Sequence, residues 1–131
     1  MKELTKAEEQ VMQVLWNLKK AFVKDVIKEL PLNAEGKKPA YNTISTIIRI
    51  LETKGFVGHT AYGKTYEYYP LVEKKHYQSF FLKNFLSNYF GGSFEKLVSF
   101  FAKDSNMDVH ELEEMLHHVK DHLKEGESPQ K

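Results

Sequence analysis

The sequence contains no cysteine, so disulfide bonds, thiolate metal sites and cysteine nucleophiles are excluded. It also lacks a hydrophobic run approaching the roughly 20 residues that a membrane-spanning helix requires. The nearest candidate is the short segment LVSFFA at residues 97–102. The N-terminal residues, MKELTKAEEQ, are charged and contain no apolar stretch of the kind that signals secretion. From these absences we expect a soluble, cytoplasmic protein with no membrane insertion.

Recognisable catalytic motifs are missing as well. The sequence contains no nucleophile elbow, no phosphate-binding loop and no HExxH motif. Two pairs of acidic residues, Glu8-Glu9 and Glu113-Glu114, are adjacent on predicted helices. Neighbouring positions on a helix point in different directions, so neither pair converges on a common point. We therefore expect no enzyme activity, no catalytic residues and no cofactor.

Charge is balanced overall but unevenly distributed. The formal net charge is +1, which by itself indicates no charged partner. Residues 37–64, however, contain a single acidic residue, Glu52, and a basic set made up of Lys37, Lys38, Arg49, Lys54 and Lys64. This segment is a local basic patch, well short of a basic domain.

Residues 1–72 show the element order of a winged helix-turn-helix. The first predicted helix is capped by Thr5 and Glu8 and ends near Leu18. A short β segment at Phe22 and Val23 leads into a second helix at 24–30, whose inward residues are Val26, Ile27 and Leu30. A third helix at 41–54 and a hairpin at 56–70 follow. Pro31 ends the second helix, and Gly55 closes the third. Three helices followed by a hairpin form a compact α+β unit.

The third predicted helix has two contrasting faces. At about 100° per residue, its apolar side chains gather into one stripe, made up of Ile44, Ile47, Ile48 and Leu51. The opposite face carries Asn42, Thr46, Arg49 and Thr53, flanked by Thr43, Ser45 and Ile50. The default interpretation is a solvent-exposed helix face, but such faces usually carry Glu and Lys. Arginine, asparagine, serine and threonine are the residue types that contact base edges in the major groove. This face is therefore predicted to read DNA.

Four stretches of the sequence carry a family resemblance: LTKAEEQVMQVLW, FVKDVIKEL, YNTISTIIRILETKGFV and KTYEYYPLV. Together, from Leu4 to about Val72, they resemble the penicillinase repressor family of bacteria, the BlaI/MecI/CopY-type transcriptional regulators. The C-terminal half resembles this family more loosely, in its helix pattern and in FEKLVSFF. The copper-responsive branch carries Cys-x-Cys motifs, and since this chain has no cysteine, copper sensing of that kind is excluded.

The resemblance implies a fold and a function. It implies a winged-helix DNA-binding domain at residues 1–72, followed by a small α-helical dimerisation domain at 73–131. It further implies a homodimer that represses genes, antibiotic-resistance genes among them, from a palindromic DNA operator. Repression would be relieved when a membrane-bound sensor protease leads to cleavage of the repressor. The predicted DNA-binding residues are Asn42, Thr43, Ser45, Thr46 and Arg49 on the recognition helix and Lys64 in the wing.

The C-terminal half is rich in phenylalanine, with seven of the nine between residues 80 and 101. Helices are predicted at 73–90, 93–103 and 109–124, with a break at Gly91-Gly92 and a cap at Asp108. Three short helices can hardly bury so many aromatic side chains alone, so a second copy of the chain is the expected partner. Its last helix repeats apolar residues, Val109 among them, at the spacing of a helix–helix seam. The predicted dimerisation residues are Phe80, Phe81, Phe85, Leu112, Leu116, Val119 and Leu123.

The segment LVSFFA has two interpretations. The resemblance places the family's cleavage position at the bond between Phe100 and Phe101. The family pattern has asparagine before phenylalanine there, whereas this chain has Phe100. The alternative is that the segment forms only part of a helical core, which would resist proteases.

A cluster of histidines on the last predicted helix is a candidate metal site. It comprises His110, His117, His118 and His122. Two pairs lie one helical turn apart, Glu114 with His118 and His118 with His122, which suits zinc or nickel geometrically. A solvated face is the interpretation we favour, so no metal is expected.

Other interpretations remain open on the sequence alone. A winged-helix module could bind protein through the face at positions 42, 46, 49 and 53, and a pocket among the phenylalanines could bind a small effector. His59 is expected to be a strand residue or a phosphate contact. Tyr66, Tyr68 and Tyr69 suit base stacking in single-stranded binding, but packing of the wing on Trp16 accounts for them more simply.

Overall fold

The structure, a computed structural model, describes residues 1–105 and, beyond them, residues 108, 110, 111, 113, 114, 117 and 118. The chain divides into two units at the bond between Glu73 and Lys74. Within the described residues, no helix has the length and apolar character needed to cross a membrane.

The first unit is a winged helix-turn-helix, as the sequence predicts. Its elements are α1 (Lys6–Leu18), β1 (Ala21–Phe22), α2 (Val23–Glu29), α3 (Tyr41–Thr53), β2 (Val57–Tyr62) and β3 (Thr65–Pro70). The strands form one antiparallel sheet in the order β1-β3-β2. The hairpin β2-β3 is the wing, and it follows α3 directly along the chain.

Helix α1 begins with the predicted capping box. The Thr5 hydroxyl accepts a hydrogen bond from the Glu8 backbone N–H at 3.2 Å, and the Glu8 carboxylate accepts one from the Thr5 N–H at 2.9 Å. These two bonds satisfy amide groups that would otherwise lack partners at a helix start. The helix ends at Lys19, whose N–H donates to the Leu15 carbonyl at 2.8 Å.

The short strand and α2 lie one residue earlier than predicted. Strand β1 covers Ala21–Phe22, and Val23 is the first residue of α2. The reason is a local cap: the Asp25 carboxylate accepts a hydrogen bond from the Phe22 N–H at 3.0 Å, which fixes the helix start. Val23 is thereby buried in the core, whereas Ile27, predicted to face inward, is only half-buried.

Helix α3 presents its predicted stripe to the core. Ile44, Ile48 and Leu51 are buried, and Ile47, predicted to join them, is half-buried. The helix ends at Thr53, one residue earlier than predicted, and Gly55 follows with a φ of 84°, in the left-handed region that favours glycine. This turn leads into Phe56, which is fully buried and accepts a hydrogen bond from the Leu71 N–H through its backbone carbonyl.

The wing has a two-residue turn. Tyr62 pairs with Thr65, leaving Gly63 and Lys64 at the tip, and Gly63 has a φ of 64°. Positive φ at the first position of such a turn matches the twist of the flanking strands. Lys64 is therefore held at the exposed end of a regular hairpin.

Two polar contacts close the core of this unit. The Trp16 indole N–H donates to the Val72 carbonyl at 2.8 Å. Glu8 is only 4% exposed, and its carboxylate forms an ion pair with the Lys54 ammonium at 2.6 Å. Because Glu8 lies in the first turn of α1 and Lys54 directly follows α3, this pair joins two distant parts of the chain.

The second unit contains α4 (Lys74–Phe90) and α5 (Phe94–Ser105). Both begin one residue later than predicted, and α5 ends two residues later. Ser93 lies outside α5 because its hydroxyl accepts a hydrogen bond from the Lys96 N–H, as a helix cap does. Gly91 and Gly92 both have positive φ, which ends α4. The Asp108 cap is also found, since its carboxylate accepts from the His110 N–H at 2.7 Å. The predicted third helix lies largely outside the described residues.

The Glu8–Lys54 pair predicts a pH-dependent stability. Burial raises the pKa of Glu8, but hydrogen bonds from Lys54 and Thr5 outweigh it and hold that pKa below its ordinary 4.5. The carboxylate therefore contributes stability in full above pH 4.5, and the contribution is lost as the pH falls through the lower, folded-state pKa. Glu8→Gln should lower the free energy of unfolding at pH 7 by about 1.5–3 kcal/mol, the contribution of a hydrogen bond to a charged group.

Urea unfolding followed by circular dichroism at pH 7 and pH 3 measures this effect. The difference in free energy of unfolding between wild type and Glu8→Gln should be smaller at pH 3 than at pH 7. The matched control is Glu9→Gln, which alters the neighbouring carboxylate in the same helical turn but not the ion pair. An equal gap at both pH values would contradict the assignment.

Candidate nucleic-acid interface

The outward face of α3 carries the predicted polar side chains. Asn42, Thr43, Thr46 and Arg49 are exposed, and Ser45 is half-buried beside them. Burial of the opposite stripe fixes this orientation, since a helix rotates by about 100° per residue. Thr53 shares the face, but its hydroxyl donates to the Arg49 backbone carbonyl at 3.1 Å and is occupied within the helix.

A histidine–carboxylate contact joins the wing to α3. His59 of β2 contacts the Glu52 carboxylate through Nδ1, and both side chains are about one-third exposed. The sequence predicted a strand residue or a phosphate contact at His59. The structure places it in β2, turned toward α3, which sequence reasoning did not anticipate because the two residues belong to different elements.

His59 also organises the tyrosines of the wing. Its ring stacks on Tyr66 at a centroid distance of 4.2 Å and meets the edge of Tyr68 at 5.8 Å. Tyr68 is buried, and burial raises its pKa, with a further rise from the nearby Glu52 carboxylate. Tyr66 remains 44% exposed. The Tyr66 ring therefore faces solvent from a packed base, and Tyr62 and Tyr69 of the wing are exposed as well.

Helix α3, the start of α2 and the wing enclose a cleft of about 450 Å³. Its lining residues are Phe22, Val23 and Lys24 from β1 and α2, Tyr41, Ser45 and Arg49 from α3, and Lys64, Thr65, Tyr66 and Tyr68 from the wing. This set brings together three of the predicted DNA-binding residues, Ser45, Arg49 and Lys64. It contains three cationic side chains and no carboxylate. We name this feature the wing cleft.

The basic segment at residues 37–64 divides into two groups. Lys38 donates from its ammonium to the carbonyls of Lys28 and Leu30, so it caps the end of α2. Lys54 is paired with Glu8. The expected single patch of five cations is therefore reduced, because two of them stabilise the fold. Lys37, Arg49 and Lys64 are exposed.

Lys24 is a cleft residue that sequence reasoning missed. It lies near the start of α2, is exposed, and lines the wing cleft with Arg49 and Lys64. Sequence position gave little indication of this, since Lys24 lies 25 residues before Arg49. The available signal was its position at the start of the second predicted helix, just after the predicted β segment.

The predicted dimerisation and cleavage residues lie in the second unit. Phe80 and Phe85 are half-buried, while Phe81 is 39%, Phe100 58% and Phe101 43% exposed. The Phe100 ring contacts Phe90 at 5.7 Å. The remaining predicted dimerisation residues, Leu112, Leu116, Val119 and Leu123, lie outside the described residues.

The histidine cluster is described only in part. His110 contacts Glu114 at 3.3 Å, and both side chains are more than 70% exposed. Across the part of the chain that the structure describes, no group of three or more histidine, aspartate or glutamate side chains could hold a metal ion. His122 lies outside that part.

The Glu52–His59 contact predicts how firmly the wing is held. Glu52→Gln should speed hydrogen exchange of the wing amides by up to about fivefold, because a partly exposed polar contact contributes at most about 1 kcal/mol. The control is Glu67→Gln, which changes another wing carboxylate. Glu67 lies in β3, where its backbone pairs with Thr60 and Phe22. Equal rates in wild type and Glu52→Gln would show that the contact does not hold the wing.

Comparison with known proteins identifies relatives along most of the chain. The model of the family described as penicillinase repressor matches residues 4–121. The methicillin resistance regulatory protein MecI of Staphylococcus aureus (strain N315) is 31% identical over 113 residues, covering 86% of this chain and 89% of that protein. The penicillinase repressor of Bacillus licheniformis is 25% identical over 120 residues, covering 92% and 91%.

One solved structure is also similar to this chain. It is the solution structure of the DNA-binding domain of the repressor BlaI, with 30% sequence identity and a TM-score of 0.46. The similarity covers 56% of this chain and 90% of that domain.

Proposed function

The chain belongs to the penicillinase repressor family, and on this premise we propose that it is a DNA-binding transcriptional repressor. It binds as a homodimer to a palindromic operator and controls genes of antibiotic resistance. The relatives named above are a methicillin resistance regulator and a penicillinase repressor, which supports the proposal at the level of the family.

The observation that carries the proposal is the wing cleft. The outward face of α3 and the tip of the wing border the same concave surface, and its cations come from both. A duplex presents a groove flanked by phosphates, so a protein that reads it needs a helix for the bases and cations beside it. These two requirements meet on one side of this unit.

Base contacts are assigned to the exposed face of α3. Arg49 has the planar fork that bonds two acceptors of guanine, and Asn42 has the amide that matches adenine. Thr43, Ser45 and Thr46 supply hydroxyls for base edges or phosphates, and the threonine methyls suit contact with thymine. None of these side chains is needed for the core, since the opposite stripe fills it.

Phosphate contacts are assigned to lysines around this face. Lys64 at the wing tip is exposed and is held by a regular hairpin. Lys24 at the start of α2 extends the same positive rim. Phosphate contacts position a protein on DNA but carry no sequence information, so these lysines provide affinity for any duplex.

Dimerisation is assigned to residues 73–131. The second unit leaves large aromatic side chains exposed, among them Phe81 and Tyr89. Because large exposed apolar areas on a soluble protein often mark an interaction surface, these side chains support a second copy of the chain as partner. A two-fold dimer matches half-sites about one helical turn of DNA, ~34–36 Å, apart.

Release from DNA is assigned to a cut within residues 97–102. The side chains of Phe100 and Phe101 are 58% and 43% exposed, so they are not sealed in a core. A cut there separates the end of the chain from α4 and weakens the dimer. A membrane-bound sensor protease is the proposed source of the signal, as the family resemblance implies.

Arg49 and Lys64 should have separable effects on DNA binding. Arg49→Ala should weaken binding to the operator by about 1–3 kcal/mol and reduce the preference for operator over random duplex. Lys64→Ala should weaken binding to every duplex alike and lower the salt dependence by about two counterions, one for each subunit of the dimer. Fluorescence anisotropy with operator and random duplexes at several salt concentrations measures both. If Arg49→Ala leaves the ratio of operator affinity to random-duplex affinity unchanged, the assignment of base recognition to α3 is wrong.

Truncation should reproduce the cleaved state. A stop codon after Phe100 should abolish the dimer and reduce affinity for a palindromic operator by 10²–10⁴-fold or so, because two linked half-sites become one. The control is a stop after Lys124, which removes only the last seven residues of the chain. Analytical ultracentrifugation and operator binding are measured on both. A truncated protein that dimerises and binds like the full chain would refute the proposed switch.

A further inference from the structure

The wing cleft has features that contact with DNA phosphates does not require. Phe22, Tyr41 and Tyr66 bring aromatic rings to its lining, and Tyr41 and Tyr66 are 57% and 44% exposed. A phosphodiester interacts with cations and hydrogen-bond donors, and it gains little from apolar walls. We propose that the wing cleft binds a small aromatic carboxylate, and that this ligand and DNA exclude each other.

Charge favours an anion in this position. Lys24, Arg49 and Lys64 all line the cleft, and no aspartate or glutamate does. Arg49 presents a guanidinium that can bond a carboxylate with two parallel hydrogen bonds. The nearby Glu52 carboxylate contacts His59 and does not line the cleft.

Contacts outside the cleft hold two of its aromatic side chains, Tyr66 and Phe22, in place before any ligand binds. The Tyr66 ring is stacked on His59, and His59 in turn contacts Glu52. Phe22 is held on the other side because it pairs with Glu67 of the wing. A preformed site loses less conformational entropy when it binds a ligand, so even a small molecule can be retained.

Size and chemistry together define the ligand class. The volume of about 450 Å³ falls within the range of roughly 300–1,000 Å³ typical of small-molecule sites. A planar ring system can lie against the tyrosines and Phe22, while its carboxylate meets the cations at the rim. Purely aliphatic anions would leave the aromatic walls uncovered, and neutral aromatics would leave the cations unpaired.

A regulatory consequence follows if the proposed function holds. The ligand and DNA require the same two side chains, Arg49 and Lys64, so binding of one prevents binding of the other. This part rests on the proposed DNA binding, whereas occupancy of the cleft by the ligand does not. Cellular aromatic carboxylates would then act as inducers that need no proteolysis.

The direct test uses the full chain labelled with ¹⁵N and titrated with 2-naphthoate in NMR. Saturable shifts are expected at the amides of Ser45, Arg49 and Thr65, with a dissociation constant of about 1 mM or below, in keeping with a ligand of this size. Acetate tests the carboxylate without the ring, and 2-naphthalenemethanol tests the ring without the charge. Both should bind at least tenfold more weakly. Equal binding of either comparator, or no saturable shift in the cleft, overturns the proposal.

A matched pair of lysine variants locates the site. Lys24→Met removes a cleft cation and should weaken 2-naphthoate about two- to fivefold, the effect of an exposed ion pair. Lys28→Met removes an exposed lysine of the same helix that does not line the cleft, and should leave affinity unchanged. Equal affinity in the two variants would place the ligand elsewhere and contradict the proposal.

Competition with DNA completes the test. At 2-naphthoate ten times its dissociation constant, the apparent dissociation constant for a random 30-base-pair duplex should rise at least about elevenfold, the factor for one cleft, and by more if both clefts of the dimer must be empty. Acetate at the same ionic strength should cause no such rise. Unchanged duplex binding beside a filled cleft would overturn mutual exclusion. Failure of the duplex to bind without 2-naphthoate would instead count against the proposed function alone, since the NMR titration contains no DNA.

Discussion

Burial of one stripe of α3 determines where the rest of that helix points. Ile44, Ile48 and Leu51 are 4%, 0% and 0% exposed, and no other rotation of the helix would bury all three. Arg49 and Thr46 must then face solvent, because they lie on the opposite side at about 100° per residue. The wing depends on the same stripe, since Gly55 and the buried Phe56 carry the chain from the end of α3 into β2. The proposed DNA-binding surface is thus a consequence of core packing.

Polar contacts between elements further stabilise this orientation of α3 and the wing. The Glu8–Lys54 pair anchors the end of α3 to the start of α1, and Lys38 closes the end of α2. The Glu52–His59 contact joins α3 to the wing. Charged residues in this segment therefore have two roles, holding the fold or facing outward, and the outward ones gather around the wing cleft. The proposed small-molecule ligand would bind in this cleft, between α3 and the wing.

Local sequence patterns were sufficient to predict most of the first unit. The capping box at Thr5, the stripe on α3 and the glycine at the wing tip all act over a few residues. Each appears as predicted, except that Ile47 of the stripe is half-buried. The roles of Lys54 and His59 depend on partners brought together by folding, with Glu8 lying 46 residues from Lys54. The position of Lys24 in the cleft has the same origin. Sequence patterns could not resolve these contacts, because nothing in the spacing of two distant residues indicates that their elements will pack.

Titration of the full-length protein with duplex DNA at two salt concentrations tests the central claim most directly. In a dimer, Lys24 and Lys64 of each subunit supply about four phosphate contacts, and affinity should fall by about 10²-fold between 50 and 200 mM salt. A random duplex is sufficient, since phosphate contacts do not depend on sequence. Weak binding at both salt concentrations would contradict the account and would favour a protein partner for the exposed face of α3.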